Sequence, residues 1–319
     1  MDKKIKVLLD TDMGTDIDDA LALAYLLMQP RCELLGITTL TGEAEKRAKL
    51  VSALLKAAGR EDIPVYPGIE ECILIEQREK YAPQAMILDK WPHQTEFPEN
   101  QALSFMQKTI RENPGEVVLL GIAPMGNIAR LFLMDPELPS LLKGLYLMCG
   151  KFSEYELKNW LNRPFEDQYA AFEPKNIFRI IAGGTLEMNA AIDPYATAIV
   201  YQKQCKVHRS VGFDMTHRVT LKMDDFINRC RHPLFQSILD MADIWFASRD
   251  EVSFHDPLAV ACLFNNQICE FTRGNVQVEL AGKTLMGYTS FEADLHGKHE
   301  IASSVDAECF FEEYFSVFK

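Results

Sequence analysis

The chain has 319 residues, 48% of them hydrophobic and 25% charged, and a formal net charge of -13. That length and apolar content support a large core, in one big α/β domain or two smaller ones. The acidic balance argues against a nucleic-acid or anionic-membrane partner, and no apolar run reaches the length of a membrane span.

The start, MDKKIKVLLD, goes from a short charged segment straight into an apolar run, with no signal-peptide pattern. Ile5–Leu9 reads as a buried strand and Ala20–Met28 as an Ala/Leu-rich helix. Cys32–Leu40 is a strand, Glu43–Ala58 a helix closed by Gly59, and Ile63–Tyr66 a short strand. Residues 68–98 are proline-broken and irregular. Asn100–Glu112 is a helix, Glu116–Ile122 a buried strand, Asn127–Leu133 a helix and Leu142–Cys149 a strand. Residues 151–175 break the rhythm with polar and aromatic positions, and a helix is expected before Gly183-Gly184. LEMNAAIDPYATAIVY reads as a strand or extended run, then a helix opened by Asp193-Pro194. Lys206–Phe213 is a strand, two helices fit 223–249, and 252–264 is a loop entering a helix. The last third is β-rich at 268–280 and 284–291, and a helix from Asp306 closes the chain.

Alternating β and α signals with unalternating apolar strands predict a single α/β domain. Its sheet is mainly parallel, with helices on both faces in a Rossmann-like arrangement. No G-x-G-x-x-G or G-x-x-x-x-G-K-[ST] occurs, so dinucleotide and P-loop functions lack support. The eight cysteines are scattered without a C-x-x-C pair. They read as small buried hydrophobes in a reducing compartment, which predicts a cytoplasmic protein.

Asp10, Asp12, Asp16, Asp18 and Asp19 crowd the loop between the first strand and the first helix. Ionised carboxylates repel, so such crowding calls for a positive partner, and the carboxyl edge of an α/β sheet is where ligands bind. A hard cation with oxygen ligands fits. Helix capping accounts for Asp18 and Asp19 but not for Asp10 and Asp12. The EF-hand pattern fails, because counting from Asp10 the glycine, Gly14, is fifth where sixth is needed, and Leu21 stands at twelve where Glu is needed. An Asp-x-Asp phosphatase pattern is a near miss, with Thr15 one place late.

Further polar stretches stand at strand–helix junctions: GIAPMGN at 121–127, Glu187–Asn189 with Asp193, and His255-Asp256. With Asp10-Thr-Asp12-Met-Gly14…Asp18-Asp19-Ala20, APMGNIA at 123–129, LEMNAAIDPYA at 186–196, His255-Asp256-Pro-Leu-Ala259 and VDAECFF at 305–311, the chain resembles the calcium-dependent nucleoside hydrolases over nearly its whole length. The resemblance implies hydrolysis of the N-glycosidic bond of a ribonucleoside by a Ca²⁺-bound water, in purine or pyrimidine salvage. It implies Ca²⁺ on Asp12, Asp19, Asp256 and the Gly126 carbonyl, with Asp12 also taking the water's proton. Asp18 and Asn189 would bind the 2′- and 3′-hydroxyls, Glu187 the 5′-hydroxyl, and Asp10 would buttress the site. His255 would be the general acid on the leaving base. A homodimer or homotetramer is expected.

The chain departs from the family pattern in places. Asp16 is an extra acid in a widened aspartate motif. Glu43 stands where an asparagine that contacts substrate is usual. His93 is a weak substitute for a missing His-Gly segment, and Asn159 and Asn162 are candidates for a missing asparagine. Loops 68–98 and 151–185 are expected to form lid and base pocket, with Trp91, Trp160, Phe165 and Tyr169 as stacking candidates. Three alternatives stay open: another ribosyl substrate, a non-catalytic ribose-ligand binder, and the Asp-x-Asp phosphatase.

Overall fold

The computed structural model describes residues 3–152 and 186–319. The helix expected before Gly183-Gly184 therefore lies outside the described residues. Strand β1 (Ile5–Thr11) leads into α1 (Asp18–Met28), and β2 (Cys32–Thr39) into α2 (Ala44–Ala57). After β3 (Val65–Pro67), the stretch 68–98 carries one regular piece, a 3-10 helix over Pro83–Asp89. Then come α3 (Ala102–Glu112), β4 (Val117–Gly121), α4 (Gly126–Met134), α5 (Leu138–Leu141) and β5 (Gly144–Met148). From residue 186 the order is α6 (Met188–Ile192), α7 (Pro194–Tyr201), β6 (His208–Val211), α8 (Phe213–Thr216), β7 (Thr220–Lys222), α9 (Met223–Arg229), α10 (Phe235–Phe246), β8 (Glu251–Ser253) and α11 (His255–Ala261). The chain ends with β9 (Cys269–Val278), β10 (Thr289–Ala293), β11 (His299–Val305) and α12 (Ala307–Ser316).

Nine strands form one sheet in the order β3-β2-β1-β4-β5-β6-β11-β9-β10. The first seven are parallel; β9 and β10 close one edge antiparallel. This is the expected single-domain, mainly parallel α/β architecture. Parallel strands need both faces covered, and β1 shows how. Val7 and Leu9 pack into one buried cluster and Leu8 into the other, on the opposite face. Burial of each such side chain stabilises the fold by about 1.5–3 kcal/mol. Helix α1 is buried from Asp18 through Leu26, because it lies between the sheet and α11. An apolar face all round is what that position demands.

Two expectations change. The segment 186–201 contains no strand. Glu187 caps α6 by accepting from the backbone N–H groups of Asn189 and Ala190, and Asp193 caps α7 at Ala196. Two side-chain caps outweigh the apolar, extended-looking pattern. The strand β11, half polar in sequence and absent from the expected elements, pairs with β6 and β9 at the point where the sheet turns antiparallel.

Strands β2 and β3 lie on one side of β1, and β4, β5 and β6 on the other. The order reverses beside β1, so the carboxyl ends of β1 and β4 diverge and leave a crevice, the usual ligand position in such sheets. Among the described residues, no helix is long and apolar enough to cross a membrane.

Candidate active site

The crevice is a cleft of about 500 Å³. The loop after β1 brings Asp12, Asp16, Asp18 and Asp19 into it, the residue after β4 brings Ile122, and the start of α11 brings His255 and Asp256. Leu186, Glu187, Asn189, Phe213, Trp245 and Arg249 also line it. Most of these residues, far apart in sequence, meet here because they leave the carboxyl end of a parallel strand or open a helix above it; Trp245 and Arg249 come from the end of α10 and the loop after it.

Three carboxylates converge most tightly. Oxygens of Asp18, Asp19 and Asp256 lie within 4.8 Å of one another. Asp12 lies in the same cleft, and its backbone N–H donates to Asp19 Oδ1 at 3.2 Å. Thr11 Oγ1 donates to the same oxygen, and the backbone N–H of Asp256 donates to Asp18 Oδ2 at 3.2 Å. Burial raises the pKa of Asp12, Asp18, Asp19 and Asp256 well above the carboxylate range, and mutual repulsion adds to it. Asp16 is pushed up to about 7, chiefly by burial. Such a cluster is costly unless protons or a cation neutralise it. Its donors are all hard oxygens, so it fits a hard divalent cation.

Asp10 lies beneath the cleft. Its Oδ1 accepts from Thr38 Oγ1 at 2.5 Å and Asn127 Nδ2 at 2.8 Å, while its buried Oδ2 has no partner. Burial pushes its carboxyl up to about 7. Asn127 also accepts from the backbone N–H of Ile69, so Asp10 sits in a network that joins β1, β2 and α4.

Glu187 is consumed mostly by structure. Its Oε1 accepts from Asn189 N at 2.7 Å, and its Oε2 from Gly150 N at 2.8 Å and Ala190 N at 2.9 Å. The Cys149 thiol is a fourth hydrogen-bond partner, so the roughly four acceptor sites of this carboxylate are engaged by the protein itself. Asn189 donates Nδ2 to the carbonyls of Met148 at 2.9 Å and Ile122 at 3.3 Å, which leaves Oδ1 as an acceptor. His255 is half-buried. Its Nδ1 bonds Thr216 Oγ1 at 2.6 Å and its ring stacks on Phe213 at 5.5 Å, so Nε2 is the nitrogen left for a ligand. Burial, with His217 nearby, pulls its pKa down to about 4.

Two expected residues are not brought to the cleft. The Gly126 carbonyl belongs to the first turn of α4 and accepts from Arg130 Nη1 at 3.2 Å; Ile122, four residues earlier, lines the cleft instead. Glu43 adopts a left-handed backbone (φ 63°) and turns away. Its Oε1 meets Lys46 Nζ at 2.5 Å and its Oε2 accepts from the backbone N–H of Ala82 at 2.9 Å. Trp91 is also elsewhere, donating Nε1 to Asp240 at 2.6 Å, and His93 bonds the Trp91 carbonyl. Asn159, Trp160, Asn162, Phe165 and Tyr169 lie outside the described residues.

In place of Glu43 the structure supplies Glu79, from the irregular 68–98 stretch. Gly42 allows this: a Cβ there would lie 2.4 Å from the Lys80 carbonyl oxygen, so only glycine admits the approach. Glu79 Oε1 accepts from Thr15 Oγ1 and from Arg47 Nη2 at 3.3 Å, and its buried Oε2 has no partner. Arg47 is 0% exposed and also donates to the carbonyls of Asp12, Gly42 and Tyr81. It pins the aspartate loop to the 77–82 segment. Breaking such a buried pair costs about 3–5 kcal/mol. Arg47 was findable in the sequence, since it shares the buried stripe of α2 with Ala44, Ala48 and Val51. Glu79 carries no local signal.

The profile of the inosine-uridine preferring nucleoside hydrolase family matches residues 7–312. A pyrimidine-specific ribonucleoside hydrolase, RihA, of Escherichia coli O1:K1 / APEC is 27% identical over 301 residues, covering 89% of this chain and 88% of its own. Among solved structures, a plant nucleoside hydrolase, the PpNRh1 enzyme, superposes with a TM-score of 0.78 at 22% identity over 98% of both chains. A purine-preferring ribonucleoside hydrolase from Gardnerella vaginalis gives 0.77 at 22% identity, again over 98% of both.

Proposed function

Because the chain belongs to the inosine-uridine preferring nucleoside hydrolase family, enzymes that cleave the N-glycosidic bond of a ribonucleoside, we propose that its cleft hydrolyses such a substrate around a bound Ca²⁺. The convergence of Asp18, Asp19 and Asp256, with Asp12 beside them, is the observation that carries this reading. Asp12, Asp19 and Asp256, with Asp18 converging beside them in place of a purely sugar-binding role, would hold the ion, and the backbone oxygen of Ile122 would take the role expected of Gly126. When bound, Ca²⁺ supplies charge neutralisation, orientation of the sugar hydroxyls and a lowered pKa for the attacking water.

The remaining chemistry belongs to side chains. Asp12 accepts the proton of the attacking water at its carboxylate. Asn189 Oδ1 accepts from a ribose hydroxyl, because its Nδ2 is already committed to two carbonyls. Glu187, with its oxygens engaged by backbone donors, holds the turn that presents Asn189 to the cleft. Positive charge develops on the ribosyl ring as the bond breaks, and the ring of carboxylates stabilises it. His255 presents Nε2–H to the departing base. With its pKa near 4 the imidazole is neutral at pH 7, so it acts there as a hydrogen-bond donor and not as a charged acid.

The test uses chelator-stripped protein, a panel of purine and pyrimidine nucleosides, and assays for free ribose and base. Ribose release should return with Ca²⁺ and be absent from Asp256→Ala, which should stay folded. Release that survives the chelator, or a folded protein with no release from any nucleoside, would refute the proposal. The relatives' own names point to pyrimidine and to purine preference, so base choice lies in this chain's own cleft wall.

A further inference from the structure

The cleft is lopsided in charge. Seven of its described lining residues are carboxylic acids, from Asp12 to Asp256, and Arg249 is the one arginine or lysine among them. Arg249 stands in the loop between α10 and β8 and lines the cleft together with Phe213, Trp245 and His255. Its guanidinium carbon sits 3.8 Å from the centre of the Trp245 ring. Trp245 is held in turn by Nε1 donating to the Glu251 carbonyl at 2.9 Å. Arg249 Nη1 donates to Ser248 Oγ at 3.2 Å, and among the described residues no carboxylate lies within ion-pair distance of it. Its attraction to Asp16 acts over a longer range.

A stacked, oriented guanidinium keeps its in-plane N–H donors free at the ring edge, the geometry that recognises a carboxylate. The Trp245 and Phe213 rings line the same cleft, with Arg249 over one face of Trp245 and both His255 and His217 stacked on Phe213. The seven carboxylic acids of the lining repel an anion, so an anionic group on a bound ribosyl compound has its favourable place beside Arg249.

We infer that Arg249 and Trp245 form a leaving-group subsite selective for a planar heteroaromatic base that carries a carboxylate. This deepens the reading of the cleft as a ribosyl-hydrolase site and rests on it. The sugar end faces the aspartates, and the base extends past His255 and Phe213 until its carboxylate meets the Arg249 guanidinium.

The experiment compares kcat/KM for uridine, carbamoyluridine and carboxyuridine (substituted at ring carbon 5 or 6) and uridine 5′-monophosphate, in the wild type and in Arg249→Gln. The carbamoyl compound is the neutral isostere. The wild type should favour at least one carboxylate isomer over its carbamoyl partner by about tenfold, and Arg249→Gln should bring the ratio near one. Equal losses on all substrates would make Arg249 a counter-charge for Asp16 and overturn the inference. So would a wild type that prefers the neutral isostere, and a preference for the 5′-phosphate would move the anion site to the sugar end. If no compound releases ribose, the hydrolase reading fails separately. Calorimetric binding of carboxyuracil and carbamoyluracil then decides the subsite. Tighter carboxyuracil binding that Arg249→Gln abolishes supports it, and equal or absent binding overturns it.

Discussion

At the scale of single residues, His255 gives the sharpest division of roles. Its Nδ1 is taken by Thr216 and its ring face by Phe213, so only Nε2 is left to touch substrate. A hydrogen-bond donor aimed at the charge that develops on a departing base contributes ~10²–10³ in rate. His255→Ala should therefore lose about that much on a purine nucleoside and far less on p-nitrophenyl riboside, whose leaving group needs no assistance. Steady-state rates on the two substrates check this; equal losses would reduce His255 to a packing group. His255-Asp256 was legible as a pair because both residue types sit before an apolar helix. That Ile122 and not Gly126 lines the cleft was not legible, because a backbone carbonyl has no sequence signature. Which carbonyl faces the cleft depends on where the helix α4 starts.

At the scale of elements, β6 couples the sheet to pH. His208 is buried between Tyr201 of α7, stacked at 5.2 Å, and His299 of β11, edge-on at 4.7 Å. Burial pulls its pKa down to about 3, with His299 adding to the effect. Below its ordinary value near 6.5 the unfolded chain takes up a proton that the folded chain refuses until about pH 3. Stability from this site is thus complete above about pH 6.5 and lost as pH falls toward 3, by about 2–3 kcal/mol at pH 4.5. His208→Phe keeps the aromatic stack and removes the proton. Denaturant midpoints for the variant should fall less than those of the wild type between pH 7 and pH 4.5; parallel declines would contradict the assignment.

At the scale of the whole molecule, the sheet and the cleft charge are one thermodynamic unit. Burial and mutual repulsion raise the folded-state pKa of the clustered aspartates, so between about pH 4 and each raised value the metal-free folded chain holds protons that the unfolded chain has shed. Metal-free stability should fall as pH rises through that window. A bound divalent cation replaces those protons, and it stabilises the fold by mass action. The rise in Tm on adding Ca²⁺ should therefore grow from pH 5 to pH 8, measured by scanning calorimetry. A rise that is the same at every pH would mean that the ion binds outside the cluster.

The sequence by itself determined the α/β class, the parallel sheet and the aspartates at its carboxyl edge. Those features are local: unalternating apolar runs make buried strands, and a run of acids between a strand and a helix has one place to go. It also marked Asp12, Asp18, Asp19, Glu187, Asn189, His255 and Asp256, which the fold draws into a single cleft. Only the tertiary structure decided that Glu43 turns outward while Glu79 turns inward. Gly42 admits the 77–82 segment against the turn before α2, and buried Arg47 fastens Glu79 there. It likewise decided that Arg249, beside an exposed loop, shares a cleft with the aspartates. Contacts of that kind depend on how chain segments that are distant in sequence close on one another, and no local pattern of residues encodes that approach.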